Sequence, residues 1–145
     1  MEVERLDHIH IYVKDHEKAV QRFEELLGIK FVKLTDEVGQ LGMGLKDAYS
    51  TIGIDILQAL SPEHPVAKAI ERSGEGLVGG VSFKVPDIEA GIAHLQSKGM
   101  KLLGRIHMGG IKEAWFHPKD AHNVLIELCE YKADNALEAS RQKQL

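Results

Sequence analysis

The chain has a single cysteine, Cys129, so no disulfide can form within it. It has no apolar run of the ~20 residues that a membrane-spanning helix needs. Its first twenty residues carry charges throughout and lack an apolar h-region, so no secretory signal is expected. An excess of positive charge is also missing. The formal net charge is −4, which gives no electrostatic case for nucleic acid or an anionic membrane as partner. Proline and glycine form no low-complexity tract. What remains is a cytoplasmic enzyme or binding protein, long enough at 145 residues to bury a core in one domain without cross-links.

What the chain does contain is a repeat. Val13-Lys14-Asp15-His16-Glu17 lies beside Val85-Pro86-Asp87-Ile88-Glu89 at an offset of 72 residues. The same offset sets His8 against Gly80, Ile11 against Phe83, Phe23 against Leu95 and Asp55 against Glu127. Each half opens with an alternating strand. In the first, His8, His10 and Tyr12 point one way and Ile9, Ile11 and Val13 the other. An aspartate then starts a helix. Ala19, Phe23, Leu26 and Leu27 form the stripe of the first helix, ended by Gly28; Ile88, Ile92 and Leu95 form that of the second, ended by Gly99. Strand-like runs follow at 29–35, 39–46 and 50–59, then at 100–104, 111–116 and 123–130. His64 to Arg72 reads as a linking helix started by Pro65.

The expected fold is therefore α+β: two βαβββ modules paired into a half-barrel within a single domain, 1–145. Module one spans 5–60, the linker helix 61–76, module two 77–131 and a polar, helix-prone tail 132–145, read as an appendage. Each sheet buries one face under its helix, and the other face lines a cavity.

The polar members of that lining are the candidate site. His8 and His10 come from the first strand; Asp55 stands between Ile54 and Ile56, and Glu127 between Ile126 and Leu128. A carboxylate turned into a cavity is costly unless it is paired or bound to a cation. One histidine with two carboxylates is an N/O ligand set for a divalent metal such as Co, Mn, Ni or Zn, with positions left open for substrate. The expected ligands are His8, Asp55 and Glu127. A lone strand histidine is more often a hydrogen-bonded structural residue; convergence through a repeat argues against that here. Glu113, which shares a face with Trp115, is the expected acid/base together with Glu127. Cys129 reads as cavity wall, His117 as a turn residue, and His16, His64, His94, His107 and His122 as surface residues.

Several segments also resemble one family. Leu6-Asp7-His8-Ile9 followed by Val13-Lys14-Asp15 resembles the opening of methylmalonyl-CoA epimerases, a branch of the vicinal-oxygen-chelate (glyoxalase-like) superfamily. Leu60-Ser61-Pro62 with Pro65-Val66-Ala67-Lys68, Gly74-Glu75-Gly76-Leu77, Gly109-Gly110, His117-Pro118-Lys119 and Val124-Leu125-Ile126-Glu127-Leu128 resemble their later segments, so the likeness covers residues 5–131. It implies a metal held by His, an amide or carboxylate, a second His and a Glu. His8, Asp55 and Glu127 match the first, second and fourth. The third falls on Gly79-Gly80, with Val78 inserted before them, and the first-module glutamate base falls on Leu41 or Gly42.

The resemblance implies a metal-dependent epimerase or isomerase that removes an α-proton through a metal-stabilised enediolate. Its substrate would be a small molecule, such as an acyl-CoA, and its assembly a homodimer. Two other readings stand beside it: a glyoxalase-like isomerase or lyase on another α-oxygenated substrate, and a non-catalytic small-ligand-binding protein with a decayed metal site. The replacement of the second histidine by Gly80 is the feature that keeps both open.

Overall fold

The computed structural model describes residues 1–34 and 43–142. Its strands are β1 (Arg5–Tyr12), β2 (Val32–Lys33), β3 (Leu45–Ser50), β4 (Ile54–Ala59), β5 (Gly76–Lys84), β6 (Leu102–Met108), β7 (Ile111–Phe116) and β8 (Ile126–Glu130). Its helices are α1 (His16–Leu27), α2 (Pro65–Ser73), α3 (Ile88–Ser97) and α4 (Ala136–Arg141), with a 3₁₀ turn at Pro118–Ala121. The chain divides into two compact units, Ile9–Gly79 and Met1–His8 with Gly80–Leu145.

In the Ile9–Gly79 unit the strands run in the order β2-β3-β4-β1, with β1 and β4 parallel. Helix α1 starts where the Asp15 side chain accepts from Lys18 N, and stops at Gly28, whose φ of 66° sends the chain into the left-handed region. Val20, with Ala19 and Phe23, covers Ile11, Val13, Ala48 and Ile56. Leu26 and Leu27, expected in that stripe, are exposed at the last turn. Helix α2 begins at Pro65, as expected, and lays Val66 and Ile70 on Tyr12 and Leu57. Its N-cap is His64, whose Nδ1 accepts from Val66 N at 3.1 Å.

The other unit repeats the plan. Strands run β5-β8-β7-β6, with β5 and β8 parallel. Helix α3, capped by Asp87, puts Ile88 and Ile92 over Val85, Ala114, Phe116 and Leu128. The tail is no appendage: Ala136, Leu137, Ala139 and Ser140 of α4 are buried, and Ala139 O accepts from Gly110 N at the β6–β7 turn.

The two ladders obey the 72-residue offset rung by rung. Ile9↔Ile54, His10↔Asp55, Ile11↔Ile56 and Tyr12↔Leu57 on β1/β4 recur as Val81↔Ile126, Ser82↔Glu127, Phe83↔Leu128 and Lys84↔Cys129 on β5/β8. Because side chains alternate along a strand, each carboxylate falls on the sheet face away from its helix.

Candidate metal centre

Strand β1 presents His8 and His10, two residues apart, on one of its faces. His8, His10, Asp55 and Glu127 are 3%, 6%, 6% and 7% exposed, so any charge they carry needs a counter-charge or strong hydrogen bonds.

In the Ile9–Gly79 unit, Asp55 is the rung partner of His10 on one side and of Tyr49 on the other. Asp55 Oδ2 lies 2.9 Å from His10 Nδ1. An ionised carboxylate only accepts, so Nδ1 carries the proton and the basic nitrogen of His10 is Nε2. Gly79 lies against this histidine: a Cβ there would stand 2.7 Å from His10 Cβ, from His10 O and from Tyr12 Cε1.

In the other unit, Glu127 lies between Ser82 and Trp115, and Cys129 between Lys84 and Glu113. Glu113, Trp115, Glu127 and Cys129 therefore share the face opposite the α3 core. His8 joins them. Its Nδ1 is 2.9 Å from Asp7 Oδ2 and its Nε2 is 3.3 Å from Glu127 Oε1. Burial works against the Asp7 carboxylate, but hydrogen bonds from His8 and Tyr131, with the charges of His8 and Arg5, outweigh it and hold Asp7 below the usual carboxylate range. Burial, reinforced by the Asp7 carboxylate, pushes the Tyr131 phenol up, so it remains a hydrogen-bond donor. Burial, with Asp7, Glu113 and Glu127 nearby, likewise pushes the Cys129 thiol up and leaves it inert as a nucleophile.

These contacts test whether the residues suit a metal ion. With Nδ1–H given to Asp7, the lone pair of His8 Nε2 faces an oxygen lone pair of Glu127, an arrangement that calls for a cation, a proton or a metal ion, between them. Two ligands each about 2.1 Å from one ion at a near-tetrahedral angle stand about 3.4 Å apart, close to the 3.3 Å found. Both histidines are backed by a carboxylate on Nδ1, the arrangement that orients metal-binding imidazoles. The donor set fits a divalent metal.

The family model described as the Glyoxalase/Bleomycin resistance protein/Dioxygenase superfamily matches residues 5–128. The chain belongs to that superfamily. Its α+β fold of two βαβββ units is a glyoxalase-like one. It is 29% identical over 131 residues to the ethylmalonyl-CoA/methylmalonyl-CoA epimerase of Cereibacter sphaeroides, which spans 86% of this chain and 96% of that protein. It is equally 29% identical, over 134 residues covering 90% and 94% of the two chains, to the uncharacterized protein YqjC of Bacillus subtilis. Among solved structures, a Streptomyces coelicolor methylmalonyl-CoA epimerase in complex with 2-nitronate-propionyl-CoA superposes with a TM-score of 0.78 at 25% identity, covering 93% of this chain and 99% of that one.

Within this glyoxalase-like frame the expected residues separate as follows. His8 and Glu127 meet directly. Asp55, expected as a ligand, is in contact with His10, a lining residue that was not among the expected ligands. Gly80 has φ +145°, and a Cβ there would stand 2.5 Å from Leu125 O, which accepts from Val81 N. A histidine cannot occupy that backbone without moving Leu125, just ahead of β8. Leu41 and Gly42, where the family base would fall, lie outside the described residues. His117 is a turn residue, its Nδ1 accepting from Lys119 N. His16 corrects the expectation of a surface residue: it is 2% exposed, and its backbone N–H donates to Gln58 Oε1 at the start of α1. Asp7 and Tyr131 were not expected in the site at all. Neither carried a usable signal: strict alternation turns Asp7 away from His8, and Tyr131 lies just past β8.

Proposed function

We propose that the protein is a metal-dependent epimerase or isomerase acting at the carbon next to a carbonyl, on an acyl-thioester of the methylmalonyl-CoA type. His8 and Glu127 hold the metal, and Asp55 backs His10 within the other unit. The observation that carries this reading is the buried His8–Glu127 contact, with Asp7 behind the imidazole. The likeness to acyl-CoA epimerases supplies the substrate class. When bound, a divalent metal polarises the substrate carbonyl and makes the neighbouring C–H more acidic. Glu113, on the same sheet face as Glu127 and two rungs further along, takes or returns that proton. Inversion needs a second group on the opposite face, a task assigned here to Glu127.

Metal content by plasma mass spectrometry, after exposure to Co, Mn, Ni and Zn, is the first test. About one ion per chain is expected for the wild type, with His8→Ala and Glu127→Ala losing it and Asp55→Ala weakening it. Glu113→Gln is expected to keep the metal and stop α-proton exchange on methylmalonyl-CoA in deuterium oxide. Unchanged metal in the His8 and Glu127 variants would sink the ligand assignment, and retained exchange would remove Glu113.

A second reading has one observation in its favour. The backbone at Gly80 excludes the superfamily's other histidine, which suits a binding protein that has given up the metal. Stoichiometric acyl-CoA binding with no retained ion would establish it.

A further inference from the structure

Asp7 is gripped from three sides. Arg5 Nη2 donates to Tyr131 Oη at 2.6 Å and to Asp7 Oδ1 at 3.3 Å; Tyr131 Oη is hydrogen-bonded to Asp7 Oδ1; His8 Nδ1 meets Asp7 Oδ2 at 2.9 Å. The direction of this chain is forced by chemistry. A guanidinium only donates, so Tyr131 accepts from Arg5 and its one proton goes to Asp7. The Asp7 carboxylate only accepts, so His8 must give it the Nδ1 proton. With His8 neutral, the chain ends with a lone pair on Nε2, the nitrogen that faces Glu127. Tyr131 is itself clamped. The Arg5 guanidinium lies 5.8 Å and the Lys84 ammonium 4.9 Å from its ring centroid, and Lys84 is ion-paired with Glu4.

We infer that Tyr131 is a positioning residue for the metal centre: acting through Asp7, it fixes the tautomer and ring orientation of His8 and so sets the affinity for a divalent cation. The inference rests on the reading of His8 and Glu127 as metal ligands. A tyrosine that merely filled space would leave affinity unchanged when its hydroxyl was removed. One that acts through Asp7 would not, since outer partners of metal-binding histidines typically change affinity about 10–100-fold.

The test is calorimetric titration of the full chain with Co²⁺ alone, for wild type, Tyr131→Phe, Asp7→Asn and the double variant. Circular dichroism melts of the metal-free proteins accompany it. Tyr131→Phe is expected to weaken Co²⁺ binding about 10-fold with little change in the metal-free melt. Asp7→Asn is expected to weaken it at least as much, and the double variant no further than Asp7→Asn, because the two residues act in series. Wild-type affinity in Tyr131→Phe, or a double loss equal to the product of the single losses, overturns the inference while leaving the metal site standing. Wild-type protein that binds no Co²⁺ overturns the ligand reading instead. In that case nitrogen-15 NMR of His8 in the metal-free chain still decides the positioning claim. An Nδ1–H tautomer that persists unchanged in Tyr131→Phe refutes it, and one that is lost supports it.

Discussion

His16 occupies the first position of α1 with its ring buried and its nitrogens making no hydrogen bond among the described residues; Glu17 Oε1 is 3.8 Å away. Burial, which outweighs the attraction of Glu17, holds its pKa below the ordinary 6.5. The folded chain therefore binds this proton less readily than the unfolded chain. The stability linked to it is complete above about pH 6.5 and is lost as pH falls through the folded pKa. Urea midpoints measured from pH 7.5 to 5 should fall, and His16→Leu should flatten that fall. Equal pH slopes in the two proteins would refute the assignment. The same residue shows why single positions were harder to read than patterns. A histidine just after an N-cap aspartate looks like a solvated helix start, yet its ring is buried, and its backbone N–H donates to Gln58 Oε1 of β4. Asp7 escaped for the opposite reason. Strict alternation puts it on the other side of β1 from His8, yet their side chains touch.

At the scale of the element, the strands next to the site were legible and the edges less so. The 72-residue offset found in the sequence is the register offset of both parallel ladders, because it reflects which residues must face a helix. Of the strand read at 39–46, residues 39–42 lie outside the described residues; strand β3 continues to Ser50, since the turn at Thr51–Gly53, where Gly53 has φ 93°, lay inside what read as one strand from 50 to 59. Leu26 and Leu27 fit the helical period yet lie past the end of the sheet's apolar face. The glycine at position 80, where the resemblance expects a histidine, was legible; the backbone cause for a glycine there was not, because a positive φ leaves no mark beyond the glycine itself. That cause makes a prediction. Gly80→His is expected not to restore a ligand but to destabilise the chain by at least about 1–3 kcal/mol, from the strained backbone and the close Leu125 carbonyl. A melt as high as wild type, with tighter metal binding, would show that the backbone can adapt.

For the molecule as a whole, a metal held by the folded chain and not by the unfolded one must raise global stability. At 100 times its Kd the gain is about 2.7 kcal/mol, or roughly 5–10 °C in Tm for a chain of this length. Differential scanning calorimetry with EDTA and then with Co²⁺ or Zn²⁺ checks this. A Tm indifferent to both would place the ion, if any, outside the folded structure. Among the described residues no helix is long and apolar enough to cross a membrane.

The matched ladders also bear on how far other chains can be compared with this one. Shifting a strand by one residue turns every side chain to the other face, so a single insertion or deletion inside β4 or β8 would carry Asp55 or Glu127 from the polar face to the helix-covered one. Length can vary freely only in the connections, and it does so here. The link between β7 and β8 holds a 3₁₀ turn, where the one between β3 and β4 is three residues long. Residue spacing along these strands is thus a sharper guide than percentage identity to which homologues keep these carboxylates on the polar face. A distant sequence with its ladders intact is a better functional surrogate than a near one with a single residue out of step.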